Sequence, residues 1–193
     1  MGSQKPLSYS TPNMRRSERN VKEAENLRNS GFSVYTSPEY PNNAYYAIER
    51  GSRHFSHEEE VCKIAAENGL SAVLDKEGTV KLRTKVGNTI RAVSLDGKIE
   101  NFTHEIMALN GKPNARKVAD GIAHTYKKNV ISQVQADIAI TITPLNSTYK
   151  TSDILNGVKE FKRRANAGEA LAKPLINLHI DERTRKIYVN KLR

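Results

Sequence analysis

The run Ala136-Asp-Ile-Ala-Ile-Thr-Ile-Thr143 holds β-branched and apolar residues without interruption, apart from one acid near its start. A strand covered on one face alternates apolar with polar, whereas a strand covered on both faces is apolar throughout. The run therefore predicts a central strand over 136–143, with Asp137 at its entrance. The flanks agree. Upstream, Val118, Ile122 and Tyr126 fall at helical spacing, predicting a helix that ends around Asn129. Downstream, Ser152–Arg164 places Ile154, Leu155, Val158 and Phe161 on one side of a helix and Lys159, Lys162, Arg163 and Arg164 on the other. Pro174 then opens a strand over 175–180, and 186–190 forms the last one.

Further upstream, Val21, Ala24 and Leu27 mark a helix over 14–29, stopped by Ser30-Gly31. Short strands are predicted over 32–36 and 44–49. Ser56 with Glu59 has the spacing of a capping box, opening a helix with Val61, Ile64 and Ala65 inward and a stop at Asn68-Gly69. Strands over 71–74, 80–84 and 89–95 follow. Asp96-Gly97 is a two-residue hairpin signal, with a return strand over 98–103. The order of elements predicts one α+β or α/β domain, a mixed central sheet flanked by helices. Residues 1–13 are expected as a flexible leader, 14–55 as an N-terminal helix and strand extension, and 56–193 as the main α/β domain.

A chain of 193 residues can bury a core without staples. Its single cysteine, Cys62, excludes an intrachain disulfide framework and a multi-cysteine zinc module. No apolar run approaches the ~18 residues that span a bilayer. MGSQKPLSYSTPN has no apolar core of a classical secretory signal, so the expectation is cytoplasmic. The formal charge is +10, and it is lopsided. Residues 1–111 carry 15 basic and 14 acidic side chains, residues 112–193 carry 16 and 7. A concentrated positive field attracts phosphate polymers through counterion release, and also acidic proteins. RNA or DNA is the expected partner, an acidic protein the alternative.

Candidate chemistry is sparse. No phosphate-cradling glycine motif is present, and no histidine pair has zincin spacing. Glu58-Glu59-Glu60 opens a helix, and only one of three adjacent carboxylates can face inward. Acids at a helix start also simply suit the backbone dipole. Glu59, Asp96 and Glu100 are the candidate ligands for Mg²⁺, which takes few protein oxygens and keeps water. His104, between Glu100 and Glu105 in the chain, could serve as an acid or base. Tyr126, Tyr149 and Tyr188 stand among basic residues, where they could stack bases or fill the core. Cys62 sits in an apolar helical frame and is expected buried.

The stretch HEEEVCKIAAENGLSAVL, then RAVSLDGKIENFTHE, VQADIAITIT, ILNGVKEFKRR and LINLHI, resembles the PD-(D/E)xK-type nuclease domains of contact-dependent inhibition and other polymorphic toxins. The resemblance covers about two thirds of the chain, residues 56–189. It implies a nuclease-like domain that cleaves RNA or DNA with Mg²⁺ and meets an acidic immunity protein. By position it implies catalytic roles for Glu59 and Glu100, and a site role for Gln135. Arg91-Ala92 stand where the family has Pro-Asp, and Phe102 where it has lysine. Charge on the phosphate would then come from Lys127 or Lys128, with His104 and Asp96 near the carboxylates, and Lys162, Arg163, Arg164, Lys128 and Gln135 would contact nucleic acid. Two functions follow: a toxin-type or mobile-element nuclease, or a non-catalytic nucleic-acid-binding or accessory protein of the same architecture.

Overall fold

A computed structural model describes residues 5–76, 79–83, 89–93, 95–132, 138–143, 148–166 and 175–192. Helix α1 (Met14–Asn29) starts where the Asn13 side chain accepts the Arg16 N–H at 3.0 Å. Strands β1 (Phe32–Thr36) and β2 (Tyr45–Glu49) pair antiparallel. Helix α2 (Ser56–Glu67) then crosses over to β3 (Ala72–Leu74), which lies parallel to β2. Strands β4 (Thr79–Arg83) and β5 (Thr89–Val93) form a separate two-stranded hairpin. Strands β6 (Gly97–Ile99) and β7 (Phe102–Ala108) return to the main sheet. Two more crossovers, through α3 (Ala115–Ser132) and α4 (Thr151–Asn166), add β8 (Ile138–Thr143) and β9 (Leu175–Ile180) in parallel. Strand β10 (Ile187–Lys191) closes antiparallel on β9.

The result is a mixed eight-stranded sheet in the order β1-β2-β3-β6-β7-β8-β9-β10, with helices on both faces, as the sequence predicted for a single α+β domain. Strand β8 has strands on both sides. Ala136 and Asp137, the predicted entrance, lie outside the described residues. Register sorts the side chains. Tyr46, Ala72, Ile99 and Phe102 are paired across four strands and share one face. That face carries Ile106, Leu178, Ile180 and Ile187 and is covered by Val61, Ile64 and Ala65 of α2. On the other face α1 covers Tyr45, Ala47 and Val73. There α3 and α4 pack over Met107 and Leu109 through Val118, Ile122, Ile154 and Phe161.

Three local expectations change. Asp96-Gly97 is not a hairpin turn: Gly97 is the first residue of β6 and pairs with both Leu74 and His104. Its glycine is required by close approach, since a Cβ there would lie 2.0 Å from the Val73 carbonyl oxygen, at a φ of +153°. The turn is instead Glu100-Asn101, between the paired Ile99 and Phe102, with Glu100 at φ +53°. The α2 cap shifts by one residue. Phe55 is the cap, and its N–H donates to the Glu58 carboxylate at 2.8 Å, so Glu58 rather than Glu59 closes the first turn. From Leu7 onward the expected leader is tied down. Leu7 N–H donates to the Ile187 carbonyl at 2.7 Å and Tyr9 N–H to that of Asn68 at 3.1 Å, while the Asn42 amide donates to the carbonyls of Tyr9 and Thr11.

Gly51 supplies a control for Gly97, because it has φ +77° but nothing within 4 Å of a would-be Cβ. Gly97→Ala is expected to lower stability by about 2–4 kcal/mol through the backbone clash. Gly51→Ala should cost only about 1 kcal/mol of left-handed strain. Urea unfolding of the two variants measures the difference.

Candidate functional site

The carboxylates named for Mg²⁺ do not converge. Asp96 and Glu100 stand at opposite ends of β6, separated by four residue steps, about 13 Å of extended chain. The Asp96 side chain is 5% exposed, and its Oδ2 accepts the Ile106 N–H at 2.7 Å. That bond stitches the entry of β6 to β7. Glu100 is held from three sides. Its Oε1 accepts the Ser71 N–H at 2.7 Å and lies 2.5 Å from the Arg16 guanidinium, and its Oε2 lies 3.7 Å from Arg19. Arg16 in turn lies 3.6 Å over the Tyr9 ring and donates to the Gly69 carbonyl at 3.3 Å. Glu100 therefore sits between α1 and the sheet, where a cleft of about 400 Å³ is lined by Arg19, Glu23, Tyr45, Asp75, Lys98 and Glu100 itself.

Glu59 lies on α2, near the Tyr46 hydroxyl, whose pKa is pushed up to about 12 by burial and then by the Glu59 charge. The inward acid of the triplet is Glu58, which is 8% exposed. Glu60 turns to the other end of the sheet and pairs with Arg185 at 2.7 Å. Among the described residues, no three His, Cys, Asp or Glu side chains gather around a common point. Glu59, Asp96 and Glu100 are thus not brought together as one donor set among the described residues.

His104 is fully buried on the α2 face of β7, and among the described residues neither ring nitrogen has a hydrogen-bond partner. Burial pulls its pKa down to about 3, so it is neutral at physiological pH. Cys62, also fully buried, has its thiol pushed up by burial. Tyr149 is a core residue at 2% exposed, and Tyr188 stacks on buried His179 at 5.3 Å.

The basic candidates divide. Lys127 and Lys128 lie on the last turns of α3, and Gln135 falls outside the described residues. On α4, Glu160 accepts hydrogen bonds from both Arg163 and Arg164, which hold its carboxyl down at about 2. Arg164 also reaches Asp120 of α3 at 2.6 Å, tying the two helices together. Lys159 and Arg163 face outward one helical turn apart, with half-buried Lys162 beside them. Lys112, Arg116 and Lys117 are exposed around the start of α3. Sequence reading missed Glu58, because a one-residue error in the cap position exchanges the inward acid for its neighbour. It also passed over Phe55, which precedes the predicted helix start and is 70% exposed.

Two outcomes are expected. First, Glu100→Ala leaves the Arg16 charge and the Ser71 N–H without their acceptor and should cost about 2 kcal/mol in urea unfolding. Second, the unfolded chain protonates His104 near pH 6.5, and the folded chain only near 3. The unfolded state therefore binds more protons between these values, and stability falls as the pH drops below 6.5, by up to about 1.4 kcal/mol per pH unit. His104→Leu should reduce this acid dependence without loss at pH 7.5, since no hydrogen bond is given up; unchanged slopes would contradict it. Comparison with protein families, curated proteins and solved structures returned no match for this chain.

Proposed function

We propose that the protein is a nucleic-acid-binding module that acts without the catalytic constellation Glu59, Glu100 and His104. One observation carries the reading: the net charge of +9 in residues 112–193, with Lys159 and Arg163 turned outward on α4 and Lys162 beside them. A polyanion approaching that surface meets side chains whose partners are few. Glu160 is the one acid within the α4 stripe, and it is shared between two arginines. Binding of this kind is electrostatic and weakly sequence-selective, because charge on a helix surface reads phosphates and not base edges. The candidate catalytic groups support the reading from the other side. Asp96, Glu100 and Glu58 spend their carboxylates on backbone N–H groups or arginines, and His104 is sealed in the core.

Binding of labelled RNA and DNA should weaken steeply with salt. Lys159→Ala, Lys162→Ala and Arg163→Ala combined should reduce the salt slope by about 2–3 and weaken all sequences alike. Arg164 is left in place because it links α3 to α4. No binding at low salt would overturn the reading. Incubation with total RNA and plasmid DNA, with Mg²⁺ or chelator, tests the other half. Chelator-sensitive cleavage abolished by Glu59→Gln, in a variant with unchanged melting temperature, would restore the nuclease reading.

A further inference from the structure

The connection from β2 to α2, residues 50–55, leaves the sheet at the carboxyl end of a parallel strand pair, where the end of β3 lies beside it. Open sheets place ligand sites at such ends. The loop is braced from within. The Ser52 hydroxyl donates to the Glu49 carbonyl and lies 2.7 Å from His54 Nε2. His54 Nδ1 lies 3.6 Å from the Glu58 carboxylate, which also accepts the Phe55 N–H. From this frame Phe55 projects outward, 70% exposed, with one ring face backed by His57 at 5.6 Å and 18°. Arg50 and Arg53 are exposed in the same loop and Lys76 is exposed just past the end of β3, its N–H on the Glu49 carboxylate; among the described residues none of the three side chains has a hydrogen-bond or ion-pair partner. Two acids of the loop are engaged: Glu49 accepts the Lys76 N–H at 2.6 Å, and Glu58 is bound as above.

We propose that this loop is a stacking site for an unpaired nucleobase, with Phe55 as the platform and Arg50, Arg53 and Lys76 holding the flanking phosphates. The proposal rests on the nucleic-acid reading above and narrows it to single strands. A held aromatic ring offers a π-face that any base can cover, and the cations track the backbone on either side. In a duplex the bases are already stacked, so Phe55 gains nothing there.

The chain contains no tryptophan, so Phe55→Trp installs a single reporter. Titration with oligothymidine should quench its fluorescence at wild-type affinity. Phe55→Ala should weaken oligothymidine binding about five- to a hundredfold and leave a duplex of equal length unaffected, with an unchanged melting temperature. The Lys159, Lys162 and Arg163 variant should weaken both ligands together. Equal single-strand affinity of wild type and Phe55→Ala, or reporter fluorescence that stays unquenched during binding, would overturn the stacking site while leaving the basic face intact. Failure of the wild-type protein to bind any nucleic acid would remove both. A blue shift of the reporter on phosphatidylserine vesicles, without quenching by oligothymidine, would assign the loop to a membrane surface and overturn the proposal.

Discussion

The contact between Glu100 and Arg16 joins the two parts of the chain that the rest of the molecule assumes are joined. Arg16 belongs to the first turn of α1, and Glu100 to the turn between two central strands. The carboxylate also takes the N–H of Ser71, just ahead of β3, so one side chain fixes α1, β3 and the β6–β7 turn at once. The left-handed backbone at Glu100 is tolerated because these bonds over-determine it. Arg16 extends the network to Tyr9 and Gly69, so the N-terminal segment hangs on the same point.

The other acids that looked chemical have comparable duties. Asp96 replaces a missing strand partner for Ile106, and Glu58 satisfies the first orphan N–H of α2. Glu60 and Glu67 clamp Arg185 and so fasten the β9–β10 turn to α2. An α+β domain with short strands has many strand ends and helix starts, each with backbone donors that need acceptors. Carboxylates supply them.

The architecture was legible where periodicity is strong. The β-branched run at 138–143, the apolar stripe of α4 and the alternation of β1 declared their elements, because strands and helices space their apolar residues differently. The turn at Glu100-Asn101 was not legible. Asp-Gly is the stronger local turn signal, and only tertiary structure reveals that Gly97 is small for the sake of the Val73 carbonyl. The candidate site inherited that error, since moving the turn by four residues places Glu100 beside α1 instead of within a strand. The burial of His104 was equally hidden, because its neighbours in sequence, Thr103 and Glu105, are polar and point away from the α2 face.

The register that puts Tyr46, Ala72, Ile99 and Leu178 on one face has a consequence for how the chain reaches its folded state. The apolar side of α2 is complete early in the sequence, yet part of its cover, Leu178, Ile180 and Ile187, arrives more than a hundred residues later. During synthesis the β2–α2–β3 unit must therefore wait with an open hydrophobic flank until the last two strands emerge. Such long-range closure slows folding and exposes sticky intermediates. A chaperone that shields α2 while the C-terminal strands are being made would act at the step where this fold is most vulnerable.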